Sequence, residues 1–176
     1  MTRARSIGLW LGSLGLLSFA ASLSWGFYVI TDDAGGGRID ASGFAAYPVI
    51  GAIVALQVSA FLVSLIVKNT VTRVLSVALI PLMAWSFIDV LLFSSIQIES
   101  TLSRFLAEQT GVEGEGAAVE FVLSSSIGFA WVLYLVAVVC NVVALTLRVF
   151  LALEEKPKKK IEVKRDLPDD LWSEQK

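Results

Sequence analysis

The chain has 176 residues, of which 56% are hydrophobic and only 17% are charged, and its mean hydropathy is +0.74. A typical soluble domain carries about 25% charged residues, so this composition excludes an ordinary soluble fold. The sequence has no histidine and a single cysteine, which excludes histidine metal sites, Ser-His or Cys-His catalytic pairs and an internal disulfide. A net charge of −2 provides no basic field for nucleic acid.

Four apolar runs are long enough to cross a membrane as helices, because about 20 apolar residues span the hydrocarbon core of about 30 Å. They predict spans at residues 7–30, 46–67, 72–97 and 121–148. The predicted fold is therefore all-α, an antiparallel four-helix bundle over residues 1–153. The segments between spans on the outer side are residues 31–45 and 98–120, and a charged tail with a composition typical of disorder follows at 154–176.

The basic residues predict the orientation. Twelve of the fourteen Lys and Arg side chains lie before the first run, between the second and third or at their facing ends, or at and beyond the end of the fourth. The positive-inside rule makes this side cytoplasmic, with both termini inside the cell and the protein in the inner (plasma) membrane. The alternative for the first run is a cleaved signal peptide, although the run is longer than such a peptide needs.

Two of the predicted helices carry small residues at steps of three or four, which places them on one helical face. We expect these faces to pack closely against other helices of the bundle, and a homodimer contact is the alternative. The residues are Gly8, Gly12 and Gly15 in the first run and Gly51, Ala55 and Ser59 in the second.

Asp89 is the one ionisable residue within the body of a predicted span, and a carboxylate at membrane depth is costly unless it is paired or neutralised. It predicts a hydrogen-bonded tie between helices, a proton or cation relay, or a contact with another subunit. Gln57 and Asn141 are the other intramembrane polar candidates, and we expect Asn141 to form a bond across to a neighbouring helix.

Beyond the third run, Ile98, Leu102, Phe105 and Leu106 recur at helical spacing. They predict an amphipathic extension of the third helix or an interfacial segment, whose apolar face is a candidate partner surface.

The tail contains two candidate binding segments. Four lysines directly after the fourth run are expected to attract anionic lipid headgroups: Lys156, Lys158, Lys159 and Lys160. Three apolar residues among acidic ones form a candidate docking peptide for a partner: Leu167, Leu171 and Trp172.

Three short segments carry a resemblance to a known family. They are Ala20–Trp25 (AASLSW), the stretch from Ser42-Gly43 to Ala46-Tyr47-Pro48, and the basic turn Lys68–Arg73 before Val74-Leu75. In these the chain resembles the actinobacterial tryptophan-biosynthesis-associated membrane proteins. The resemblance implies a four-helix membrane protein and no catalytic residues. By architecture such proteins are similar to accessory subunits of respiratory or cell-envelope assemblies.

Together these features predict a non-enzymatic accessory or assembly subunit that binds other integral membrane proteins. Its expected partners are membrane lipids, membrane protein subunits and a second copy of itself, but no nucleic acid. The sequence contains no cofactor motif and no metal-ligand spacing. The alternative function is a small proton-coupled or cation-coupled transporter that uses Asp89.

Overall fold

The computed structural model describes residues 3–32, 35–67, 69–112 and 121–154. Its elements in chain order are helix α1 (Arg3–Ser22), strands β1 (Ser24–Ile30) and β2 (Gly37–Ser42), helices α2 (Gly43–Ala46), α3 (Pro48–Ile66) and α4 (Asn69–Thr110), strand β3 (Val122–Ile127) and helix α5 (Ala130–Glu154). The candidate lipid and partner residues of the tail, from Lys156 to Trp172, lie outside the described residues.

Three helices among the described residues are long and apolar enough to cross a membrane: α3, α4 and α5. Helix α1 is not in this group, since Arg5 and several glycines and serines accompany its apolar residues. Its role as a fourth span stays a prediction. Helix α5 packs along both α1 and α4, while α3 contacts α1 and α4. The side chains at the centre are fully buried and include Trp10, Leu17, Met83, Tyr134 and Leu145.

The predicted all-α fold is confirmed only in part: the described chain is mostly helical (78%), but three strands form an antiparallel sheet in the order β2-β1-β3. In the central strand, Trp25, Tyr28 and Ile30 are buried while Phe27 and Val29 are partly exposed. This burial along a segment rich in aromatic and β-branched residues is typical of a strand with one face on a core. We call the end of the molecule that carries the sheet the sheet end.

The sheet changes the bounds of two predicted spans. The span predicted at 7–30 ends as a helix at Ser22, because Ser24–Ile30 pairs with both neighbouring strands. The span predicted at 121–148 begins as a helix at Ala130, because Val122–Ile127 pairs with β1. Apolar runs do not distinguish buried strands from helices by hydrophobicity alone. Helix α3 lies within the predicted span 46–67.

The described parts of the predicted outer segments also form regular elements. Residues 31–45 contain β2 and the start of α2, and residues 98–110 continue α4 without a break beyond the predicted span 72–97. At 1.5 Å per residue, the 42 residues of α4 extend about 63 Å, twice the thickness of a hydrocarbon core. The last third of α4 therefore projects from the bundle and supports the sheet.

The projecting part of α4 has the amphipathic character that its sequence predicts, but its apolar face is covered by the chain itself. Ile98, Leu102 and Leu106 are buried. Ile98 and Leu102 lie directly against Gly26 of β1, where a Cβ would clash with the Ile98 side chain. This face is thus part of the core and not the partner surface that we expected.

The outer strand β2 carries an ion pair. The Arg38 Nη2 atom lies 2.7 Å from Asp40 Oδ1, and the guanidinium is stacked 3.8 Å from the centroid of the Phe27 ring. The hydrogen bond from Arg38, assisted by one from Ser24, holds the pKa of Asp40 below its usual value. Charges on an edge strand discourage pairing with a foreign strand.

Candidate functional site

Four helices each contribute a side chain to a buried polar cluster inside the bundle. Its members are Trp10 and Ser13 of α1, Gln57 of α3, Met83 of α4 and Asn141 of α5, and we call them the core cluster. All are at most 8% exposed.

The amide groups of Asn141 and Gln57 connect the core cluster. Asn141 Nδ2 donates to Ser13 Oγ at 3.1 Å and to Gln57 Oε1 at 3.0 Å. Gln57 Nε2 lies 2.7 Å from the Met83 sulfur, and Trp10 Nε1 donates to Gln57 Oε1 at 3.4 Å. The helical tie expected for Asn141 is therefore present, and Gln57 is its partner.

Arg148 is a functional candidate that the sequence analysis missed, because it was assigned to the boundary of the fourth span. The side chain is buried, its Nη2 donates to Ser64 Oγ at 3.0 Å, and its guanidinium lies 4.7 Å from the Trp10 ring centroid. A sequence signal for it exists: Arg148 follows Asn141 by seven residues, as Ser64 follows Gln57. Residues seven apart lie on the same helical face, two turns along.

Asp89 lies apart from the core cluster. Its side chain is half-buried, and its backbone carbonyl accepts a hydrogen bond of 3.5 Å from the Tyr47 hydroxyl. Its carboxylate forms no hydrogen bond or ion pair with any residue that the structure describes. Tyr47 immediately precedes α3, whereas Gln57 lies ten residues farther on, about 15 Å along the helix. The carboxylate is thus near the sheet end and does not join the interior polar side chains.

The predicted small-residue faces point away from the other helices. A Cβ placed on Gly8, Gly12 or Gly15 would meet no described atom within 4 Å. At Gly51 such an atom would have only an ordinary contact with Phe44, and Ala55 and Ser59 are exposed on α3. The described helices therefore do not use these residues for close packing.

Gly8 and Gly12 instead line an open groove of about 410 Å³ between α1 and α5. A second groove of about 290 Å³ lies between α4 and α5, with Ala84 and Ile88 on its α4 side. Val139 and Val143 line both grooves, so they form a ridge between them. Both grooves are almost wholly apolar, and we refer to this surface as the ridge-and-groove face.

The described residues contain no candidate metal centre. No three His, Cys, Asp or Glu side chains among them come close enough together to hold a metal ion. Cys140 is exposed and lines the groove between α1 and α5 among apolar neighbours. The described helices thus have a hydrogen-bonded interior, the core cluster, and an apolar outer surface with two grooves, the ridge-and-groove face.

These elements define a helical membrane protein with a small sheet at one end. Comparison of the chain with protein-family models, curated proteins and solved structures finds no match.

Proposed function

We propose that this protein is a non-enzymatic subunit that binds a membrane helix of a larger membrane protein complex through its ridge-and-groove face. The observation that carries the proposal is the pair of apolar grooves on either side of the Val139 and Val143 ridge, with Gly8 and Gly12 in one of them. Ridges that fit into grooves are the general mode of helix packing, and small residues let helices approach closely in lipid.

The interior of the bundle supports this proposal over a carrier function. The polar side chains at its centre are bonded to one another across α1, α3, α4 and α5. Asp89, the residue on which the transporter alternative depends, lies six residues, about 9 Å along α4, from Met83 of this cluster, and its carboxylate bonds to none of the cluster side chains. An interior in which the helices are hydrogen-bonded to one another, with apolar grooves outside, suits a scaffold. By the resemblance and the distribution of basic residues, the complex is a respiratory or cell-envelope assembly in the plasma membrane of an actinobacterium.

The proposal is tested by filling the groove. We expect Gly8→Leu combined with Gly12→Leu to release the partner, because the leucines occupy the space in which its helix would lie. Both sites have room for a side chain to begin, since a Cβ at either position meets no described atom within 4 Å. The measurement is purification of the tagged protein from native membranes in mild detergent, with mass spectrometry of the proteins recovered in stoichiometric amounts.

The matched control is Ala55→Leu, which adds similar bulk on the exposed face of α3, away from both grooves. We expect this variant to retain the partner in full. Recovery of the same partner by the groove variant, or its loss from both variants, would contradict binding at the ridge-and-groove face.

A further inference from the structure

A separate cavity of about 450 Å³ lies at the sheet end, where β3 overhangs the projecting part of α4. Its walls combine apolar and polar side chains. The apolar ones are Ile98, Leu102 and Ile127, and the polar ones are Tyr28, Glu99, Ser125 and Ser126. Because it shares no lining residue with the ridge-and-groove face, its role does not depend on the proposed function.

The polar side chains of this cavity have no partners within the described chain. Tyr28 is 95% buried as a residue, whereas Glu99, Ser125 and Ser126 are exposed. None of their hydroxyl or carboxylate groups forms a hydrogen bond with another described residue. Ser125 is directly opposite Tyr28 in the strand register, which places the two side chains on the same face of the sheet. The Tyr28 hydroxyl therefore opens into the cavity with no partner in the described chain, and it is free to hydrogen-bond a ligand that lies there.

The charge of the cavity indicates what this ligand is. Among the described residues of its lining, Glu99 is the only charged one. The nearest cation along α4, Arg104, pairs with Glu108 at 3.8 Å. A carboxylate surrounded by hydroxyl oxygens offers acceptors to each N–H of an ammonium group, and charge-assisted hydrogen bonds are the strong ones. An anionic ligand would instead be repelled by Glu99.

We propose that this cavity binds an organic ammonium group carried on an apolar body. The ammonium would lie against Glu99, Tyr28 and Ser125, and the apolar part would contact Ile127, the apolar lining residue that is exposed. The exposed apolar residues Leu92 and Ile96 continue the surface of α4 from the cavity toward the bundle. An aminophospholipid of the surrounding membrane matches this description, and a free soluble amine is the second source of the same chemistry.

Native mass spectrometry of the full-length protein in detergent tests the proposal. The probes are phosphatidylethanolamine and phosphatidylglycerol with identical acyl chains, offered at equal concentration. We expect preferential retention of phosphatidylethanolamine, and we expect Glu99→Gln to weaken it about tenfold, the factor that a single charge-assisted hydrogen bond contributes. The control Glu108→Gln, on the same helix but outside the cavity, should leave retention unchanged.

Competition with glycerophosphoethanolamine, which has the headgroup but no acyl chains, distinguishes the two sources. Displacement of phosphatidylethanolamine by this compound at comparable concentration would identify a soluble amine as the ligand. Continued retention of phosphatidylethanolamine would identify the lipid. Ser125→Ala, at an exposed position, supplies a second variant should Glu99→Gln fail to fold, and it should also weaken retention. Equal retention of the two lipids by the unmodified protein, or unchanged retention in the folded Glu99→Gln variant, would overturn the proposal.

Discussion

Asn141 joins two other helices through one amide nitrogen, which donates to Ser13 on α1 and to Gln57 on α3. Gln57 extends the connection to Met83 on α4. An unpaired polar group inside a membrane costs several kcal/mol, so each of these side chains depends on the others for a partner. The network thereby fixes the relative position of the helices as well as stabilising them.

Removal of this amide should destabilise the protein measurably. We expect Asn141→Ala to lower the free energy of unfolding by about 1–3 kcal/mol, because Ser13 and Gln57 lose a buried partner. Equilibrium unfolding in detergent measures the change. The control Ser59→Ala removes an exposed hydroxyl that bonds only to the Ala55 carbonyl of its own helix, and it should stay within about 0.5 kcal/mol of the unmodified protein. Equal stability of the two variants would contradict a stabilising role for the network.

At the scale of single residues, part of the core cluster could be predicted from the sequence. Gln57 and Asn141 are recognisable because they interrupt apolar runs, and Arg148 could have been found from its seven-residue spacing to Asn141. Trp10 and Met83 could not be predicted as members of the core cluster, because aromatic and thioether side chains are common in membrane helices. Only the fold brings these two side chains next to Gln57.

At the scale of elements, the length and hydrophobicity of an apolar run do not determine whether all of it forms a helix. The length and hydrophobicity of residues 7–30 are those of one membrane span, yet the chain changes from helix to strand after Ser22. The preference of Ser24–Ile30 for a strand depends on its partners, β2 and β3, and β3 is almost one hundred residues away in sequence. Pairing with a strand so distant in sequence produces no local sequence pattern from which β1 could be predicted. The helical extension of α4, by contrast, depends on spacing within one segment and was predictable.

The junction between the sheet and the bundle depends on Gly43. A Cβ at this position would clash with the indole of Trp25. That ring has no freedom to move, because it packs between Tyr47 and Tyr134 with centroids 5.9 and 5.4 Å away and donates from Nε1 to the Ala20 carbonyl at 2.9 Å.

We therefore expect Gly43→Ala to destabilise the protein by about 1–3 kcal/mol, the usual cost of overpacking a core. Gly51→Ala is the matched control, since its Cβ has room and alanine is favoured over glycine inside a helix by up to about 1 kcal/mol. Thermal unfolding in detergent should rank Gly51→Ala at or above the unmodified protein and Gly43→Ala below it. The reverse order would show that Trp25 is not held as the contacts indicate.

The whole molecule is asymmetric along its helices. The sheet, α2 and the projecting part of α4 lie at one end, whereas α1 begins and α5 ends at the other. The predicted orientation assigns the sheet end to the outside of the cell, because twelve of fourteen basic residues belong to the other side. This assignment matters for both proposals, since it places the ammonium cavity at the outer surface.

Cysteine labelling tests this orientation directly, because the chain has a single native cysteine. In a Cys140→Ser background, Glu108→Cys places a thiol at the sheet end and Arg5→Cys places one at the opposite end, and both positions are exposed. A charged maleimide that does not cross the membrane should label Glu108→Cys in intact cells, and it should label Arg5→Cys only after permeabilisation. The opposite pattern would place the sheet in the cytoplasm, and the lipid that reaches the Glu99 cavity would then come from the inner leaflet.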